Sequence, residues 1–129
     1  MVSNPEGMAL RKALVSVDEY FQEDDSMSEV TYVVAIVTVA PEHAHTAEAE
    51  LARCMVASRK EAPCQHYVVN RDLEKPGRFT TDERWDTPAA FDAHLATPHF
   101  NVLAKAMGAL GAEVTIMKVR PLDAAADVA

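Results

Sequence analysis

The sequence predicts an α+β domain with the ferredoxin-like order β-α-β-β-α-β, preceded by an extra N-terminal helix. Three observations support this fold class: one long β-branched run, two strand patterns joined by hairpin turn chemistry, and two helical patterns that each begin at a proline. In this arrangement both helices cover one face of an antiparallel sheet. We expect an extension with a linker at 1–28, the domain itself at 29–121 and a flexible tail at 122–129.

The composition limits the classes of function. With 129 residues, 49% of them hydrophobic, the chain has enough material for one domain with a core. Its net charge of -8 repels phosphate backbones and argues against a nucleic-acid partner. No apolar run approaches the roughly 18 residues that span a bilayer, and the N-terminus lacks the features of a signal peptide. We therefore expect a cytoplasmic protein without a membrane partner.

The N-terminal extension carries an amphipathic helical pattern from Met8 to Phe21. Its apolar positions recur at helical spacing and form one stripe; they are Leu10, Ala13, Leu14, Val17 and Phe21. The acidic stretch at 23–25 then indicates a solvated linker.

The first strand and first helix of the domain follow this linker. The run from Val30 to Ala40 is apolar at consecutive positions, as is typical of a central strand that is covered on both faces. A helix opens at Pro41, and Pro63 ends it. Its buried stripe is predicted to comprise Ala44, Ala47, Leu51, Cys54, Met55 and Ser58. Cys54 and the second cysteine, Cys64, have no metal-ligand spacing, so both are predicted to be inert thiols.

The next two strand patterns form a predicted hairpin. The second strand covers 64–73, the turn lies at 74–77, and the third strand begins at Arg78. Along the third strand side chains alternate between faces. One face is therefore predicted to hold Phe79, Thr81, Glu83 and Trp85.

Two helical pieces and a last strand complete the domain. Thr87 and Thr97 each precede a proline and are predicted N-caps. Gly108 and Gly111 are expected to close the second piece, and the last strand runs from Glu113 to Arg120. No element remains to cover the other face of the sheet, so we predict a homodimer with its sheets face to face.

One helix face is predicted to meet the third strand at an enclosed site. Phe91, His94 and Leu95 share that face, which brings His94 towards Glu83 and Trp85. Imidazole is suited to proton transfer near neutral pH, so the pair of Glu83 and His94 is either catalytic or a buried contact that fixes the helix to the sheet.

A metal site is the alternative use of the same residues. His99 with His94 and Glu83 has the composition of a two-histidine, one-carboxylate set. The five-residue spacing of the histidines across a helix break differs from the usual placement on one helix face, and the sequence therefore predicts no metal.

The motif ERWDTPAAFDAHLATPHF, with SRKEAPCQHYVVNRD and PGRF before it, resembles the antibiotic biosynthesis monooxygenase (ABM) superfamily, in particular its quinol monooxygenase-like members. The likeness extends over about residues 30 to 121. The resemblance implies a dimeric α/β barrel with a pocket in each protomer between sheet and helices. It also implies cofactor-free oxygenation of quinols or polycyclic phenols by dioxygen.

These expectations define a candidate site. The catalytic residues are predicted to be His94 and Glu83. The substrate contacts are predicted to be Trp85, Phe79, Tyr67, Phe91, His99 and Phe100. Trp85 is expected to belong mainly to the core and to reach the ligand only with its edge.

Two other functions are weighed against this one. A haem-degrading branch of the superfamily has an Asn on the first strand, which is absent here, and a Trp and a His on its second helix, where this chain has His94 and Ala104. A haem cofactor is therefore disfavoured. The remaining alternative is a non-catalytic dimeric module that binds a small molecule or a partner protein.

Overall fold

The computed structural model describes residues 29–122. The predicted N-terminal helix and most of the predicted tail lie outside this range. The described elements are β1 (Thr31–Thr38), a 3-10 turn (Pro41–His43), α1 (Ala44–Ser58), β2 (Cys64–Arg71), β3 (Arg78–Trp85), α2 (Pro88–His94), α3 (Pro98–Ala109) and β4 (Glu113–Val119). The predicted α+β ferredoxin-like order is confirmed, with the second helix divided into α2 and α3.

The sheet has the strand order β2-β3-β1-β4, and every pair is antiparallel. β1 is central, as its β-branched sequence predicts. Its alternate residues Val33, Ala35 and Val37 are buried towards the helices. The residues between them are half-buried on the opposite face, which no described element of the chain covers.

Two predicted boundaries are corrected. The second strand ends at Arg71 because the Asp72 carboxylate accepts a hydrogen bond from the backbone N–H of Glu74 at 2.8 Å and closes the turn there. Leu73, predicted to lie in the strand, is 90% exposed. Gly108 lies within α3, whereas Gly111 follows the helix with a φ of 67° and provides the left-handed residue that commonly ends a helix.

Two threonine caps position the helices that cover the sheet. Thr87 Oγ1 accepts from the backbone N–H of Ala90 at 3.1 Å and starts α2. Thr97 Oγ1 accepts from the backbone N–H of Phe100 at 3.2 Å and donates to the His94 carbonyl at 2.7 Å. Thr97 therefore begins α3 and closes α2 at once, and this fixes His94 relative to Phe100.

The core between sheet and helices has two apolar clusters. The larger one joins α1, α3 and the end of the sheet where β1 ends and β3 begins; its buried members are Val37, Val39, Ala47, Leu51, Cys54, Phe79, Leu103 and Met107. The smaller one lies under α2 and comprises Val33, Tyr67, Trp85, Ala90 and Phe91. Across residues 29–122, none of the helices is long and apolar enough to cross a membrane.

Candidate active site

A cavity of about 300 Å³ lies between the sheet and the helices, where the two apolar clusters meet. Its walls come from all four strands and all three α-helices and are mostly apolar. The lining residues are Ala35, Val37, Leu51, Tyr67, Thr81, Glu83, Phe91, His94, Leu95, Phe100, Leu103, Ala104, Met107, Gly108, Ala112, Val114 and Ile116. This volume is at the lower end of the roughly 300 to 1,000 Å³ that is typical of small-molecule sites.

His94 is the one imidazole in the cavity wall, and its side chain is 1% exposed. Its Nδ1 lies 2.8 Å from Glu61 Oε2. Because a carboxylate can only accept, this contact assigns a proton to Nδ1. In the neutral ring Nε2 then carries the lone pair, and it has no hydrogen-bond partner among residues 29–122.

A second histidine shares the same carboxylate. His99 Nε2 lies 2.6 Å from Glu61 Oε2, so one oxygen accepts from two imidazoles. The side chain of His99 is 24% exposed and that of Glu61 is 15% exposed. The three residues form a hydrogen-bonded cluster that extends from the cavity wall to the surface.

The predicted partnership of Glu83 with His94 is corrected. Glu83 Oε2 accepts from Thr81 Oγ1 at 2.9 Å, and Glu83 Oε1 accepts from Trp85 Nε1 at 3.0 Å. Both donors lie on the same face of β3, two residues on either side of Glu83, and they occupy one carboxylate oxygen each. The hydrogen-bond partner of His94 is Glu61 instead.

Burial controls the protonation of the two polar groups in the wall nearest to His94. Loss of solvent raises the pKa of Glu83, and the hydrogen bonds from Trp85 and Thr81 oppose that rise only in part. Burial also raises the pKa of Tyr67 far above its usual value, so its hydroxyl stays a neutral phenol. Glu83 therefore keeps its proton to a higher pH than an exposed glutamate does.

The structure brings together five of the eight predicted site residues at the cavity, namely Tyr67, Glu83, Phe91, His94 and Phe100. Trp85 is fully buried behind Glu83, with its ring centroid 4.5 Å from that of His94. Phe79 is buried in the larger cluster, and His99 lies on the outer side of Glu61. Trp85, Phe79 and His99 do not line the cavity. Their direct contacts with a ligand therefore stay predictions.

Glu61 is the site residue that the sequence-based reasoning missed. It lies in the turn between α1 and β2, outside every periodic pattern, and its carboxylate is brought to His94 only by the packing of α2. The one indication was its position in the SRKEAPC segment, where a carboxylate directly precedes Ala62 and the strand.

Replacing Glu83 by Gln is expected to flatten the pH dependence of the free energy of unfolding. A raised carboxyl pKa means that the folded state binds the proton more tightly, so stability falls as pH rises from the ordinary value of 4.5 through the folded-state pKa. The Gln side chain cannot titrate. Over this pH window the free energy of unfolding of the variant should therefore rise relative to that of the wild type, by about 1.4 kcal/mol for each unit by which the pKa is raised.

Urea unfolding of both proteins, followed by the fluorescence of Trp85 from below pH 4.5 to neutrality, measures this difference. Asp92→Asn is the matched control because it removes an exposed carboxylate of α2, away from the outer face of the sheet. Parallel curves for the wild type and Glu83→Gln would show that burial does not perturb Glu83.

The fold and the cavity define a class: a ferredoxin-like α+β domain with an apolar small-molecule site between its sheet and its helices. Residues 31–106 match the family model of the antibiotic biosynthesis monooxygenases. This match covers more than half of the chain, and the protein belongs to that family.

Solved structures agree with this assignment. The chain is similar to PA3566 from Pseudomonas aeruginosa, with 32% identity and a TM-score of 0.68 over 72% of this chain and 94% of that one. It is also similar to a Deinococcus radiodurans protein named for the antibiotic biosynthesis monooxygenases, with 28% identity and a TM-score of 0.67 over 72% and 93% of the two chains. Rv0793 from Mycobacterium tuberculosis shares the fold at 24% identity, with a TM-score of 0.67 over 73% and 96%. A comparison with curated proteins found no match to this chain.

Proposed function

We propose that the protein is a cofactor-independent monooxygenase that acts on a quinol or a polycyclic phenol. The observation that carries this proposal is a buried imidazole in the wall of an apolar cavity, with Nδ1 held by Glu61 and Nε2 left as an acceptor. Family membership supports the reaction class, and the cavity supports a small aromatic substrate.

In the proposed reaction His94 Nε2 removes a proton from a hydroxyl of the substrate. The resulting anion is electron-rich enough to reduce dioxygen and to form a carbon–oxygen bond with it. Cleavage of the oxygen–oxygen bond leaves one oxygen atom in the product and releases the other as water. The substrate supplies all four electrons, so a quinol and O₂ give a hydroxyquinone and H₂O without an external reductant.

The wall of the cavity fits this role in two ways. Phe91, Phe100 and Leu103 offer apolar surface to an aromatic ring and exclude water from the reactive anion. The Glu83 carboxylate is available to accept a hydrogen bond from a second hydroxyl, which would orient a quinol with its other hydroxyl towards His94. Both His94 and Glu83 would therefore contact the substrate.

Oxygen uptake with a panel of reduced naphthoquinones and anthrones tests the proposal. We expect turnover of at least one substrate, with one ¹⁸O atom from ¹⁸O₂ in the product, in protein freed of metals by a chelator. Absence of turnover across the panel would contradict the proposed activity. Tight binding of the same compounds without turnover would support the non-catalytic module instead.

The proposed active form is a homodimer joined through the outer face of the sheet. This face presents half-buried Tyr32, Val34 and Ile36 of β1 beside Met117 and Val119 of β4, which are 37% and 42% exposed. On the same face Arg84 has a buried Nε without a hydrogen-bond partner among residues 29–122. A second copy of the sheet would cover the apolar row.

Light scattering measures this assembly directly. We expect the wild type to have twice the 14.1 kDa of one chain, and Ile36→Asp to have the mass of a single chain, because it buries a charge in the interface. Val102→Asp is the control, since Val102 is exposed on α3, away from the sheet. A monomeric wild type, or dissociation by the control alone, would exclude this interface.

A cytoplasmic location is proposed on the state of the thiols. Cys54 and Cys64 are both free, as is typical of proteins in reducing compartments. Burial raises the pKa of each, which keeps both in the unreactive thiol form.

A further inference from the structure

We propose that Glu61, His94 and His99 form a binding site for a divalent transition-metal ion. The candidate ligand atoms are a carboxylate oxygen of Glu61, Nδ1 of His94 and Nε2 of His99, and all lie within 4.8 Å of one another. Both imidazole nitrogens point at the same oxygen, at 2.8 and 2.6 Å. An ion bound beside this oxygen would take the place of the two hydrogen bonds that the oxygen accepts.

The donor set selects the class of ion. Two imidazoles and one carboxylate suit Zn²⁺, Cu²⁺, Ni²⁺ or Fe²⁺, whereas Mg²⁺ and Ca²⁺ prefer oxygen ligands. Three protein ligands also leave a coordination position for water, as in open zinc sites. The set differs from the one considered on sequence grounds, because Glu61 takes the place of Glu83.

Only a small movement separates the hydrogen-bonded cluster from a coordinated one. With metal–ligand bonds of about 2.1 Å, tetrahedral ligand atoms are roughly 3.4 Å apart. The Glu61 oxygen must therefore withdraw from His94 Nδ1 by about 0.6 Å and from His99 Nε2 by about 0.8 Å. Glu61 is in a turn and partly exposed, so it can move, whereas His94 is held by the rings of Trp85 and Phe100.

The ion has a route from solvent. His99 is 24% exposed at the start of α3, and Glu61 lies beside it, so the site opens to the surface on the side away from the cavity. His94 then belongs to both places, with Nδ1 in the metal site and its ring in the cavity wall.

Metal binding would change the chemistry of His94. An ion on Nδ1 requires the single proton of the neutral ring to lie on Nε2, which turns the acceptor nitrogen into a donor. Zinc is therefore expected to slow oxygen uptake. This consequence rests on the proposed function, whereas metal binding itself does not.

Isothermal titration of the full chain with Zn²⁺ tests the site without any activity assay. We expect one ion per chain in the wild type and a dissociation constant at least tenfold higher in His99→Gln, since even loss of an outer-shell partner costs roughly 10- to 100-fold. The control is His45→Gln, which removes an exposed histidine of α1 and should leave the affinity unchanged.

Three outcomes would overturn the proposal: no saturable binding by the wild type, equal affinity in His99→Gln, or a loss of affinity in His45→Gln. Glu61→Gln provides a second variant, and circular dichroism verifies that each protein is folded. Metal binding without any effect on oxygen uptake by the active enzyme would leave the site intact and contradict only the role of His94. Absence of oxygen uptake in metal-free protein would instead count against the proposed function.

Discussion

Replacing Gly77 by Ala is expected to lower the free energy of unfolding by about 3 kcal/mol. Gly77 has a φ of 90°, a conformation that costs an L-residue roughly 1 to 2 kcal/mol. A Cβ there would also overlap the backbone oxygen of Val39. Relief requires the hairpin turn to move away from the end of β1, which stretches the 2.8 Å hydrogen bond from the Val39 N–H to the Gly77 carbonyl.

Gly111→Ala separates the cost of backbone strain from the cost of the steric overlap. Gly111 also has a positive φ, 67°, but a Cβ at that position meets no atom within 4 Å. We expect this variant to lose only about 1 kcal/mol from backbone strain. Urea unfolding of both variants gives the cost of the overlap as their difference, and equal losses would show that the turn adapts to the added methyl group.

The fold was predictable because its patterns are local. The alternation of β3 placed Phe79, Thr81, Glu83 and Trp85 on the buried face, as the structure shows. The threonine–proline pairs marked both helix starts, since a hydroxyl cap and a proline act within one turn of chain. Each of these features depends on neighbours no more than a few residues away.

The site was predictable only in part because its decisive contact joins distant residues. The helical spacing brought His94 to the cavity, and the strand alternation brought Glu83 to the opposite wall. Their pairing was wrong because Thr81 and Trp85, on the same strand, reach the Glu83 oxygens first. Glu61 is 33 residues from His94 in sequence and belongs to no periodic pattern, so only the packed structure joins them.

Trp85 shows a related limit. The sequence places it correctly on the buried face, but alternation gives only the face of a strand and not the depth of a side chain. Because its indole N–H bonds to Glu83 and its ring packs against His94, Trp85 supports two cavity residues from behind. The structure therefore favours a role for Trp85 in positioning Glu83 and His94, and its predicted contact with a ligand stays a prediction.

Replacing His94 by Ala is expected to lower kcat for oxygen uptake at least 100-fold with little change in KM. The variant removes the nitrogen that accepts the substrate proton, and general-base catalysis contributes roughly 10²- to 10⁴-fold. Binding depends mainly on the apolar walls, which remain. Because His94 is fully buried, the variant also loses packing against Trp85 and Phe100, and its urea unfolding must be measured in parallel.

Rescue separates a missing base from a missing contact. The space left by His94→Ala sits at the cavity wall, so added imidazole is expected to restore part of the oxygen uptake, whereas pyrazole, a ring of equal size but much weaker basicity, is not. His94→Gln fills more of the space without supplying a base and should stay inactive, while His45→Ala, on the exposed face of α1, should keep full activity. Equal rescue by both rings, or an active Gln variant, would assign His94 to packing, since only a base distinguishes imidazole from pyrazole at that position.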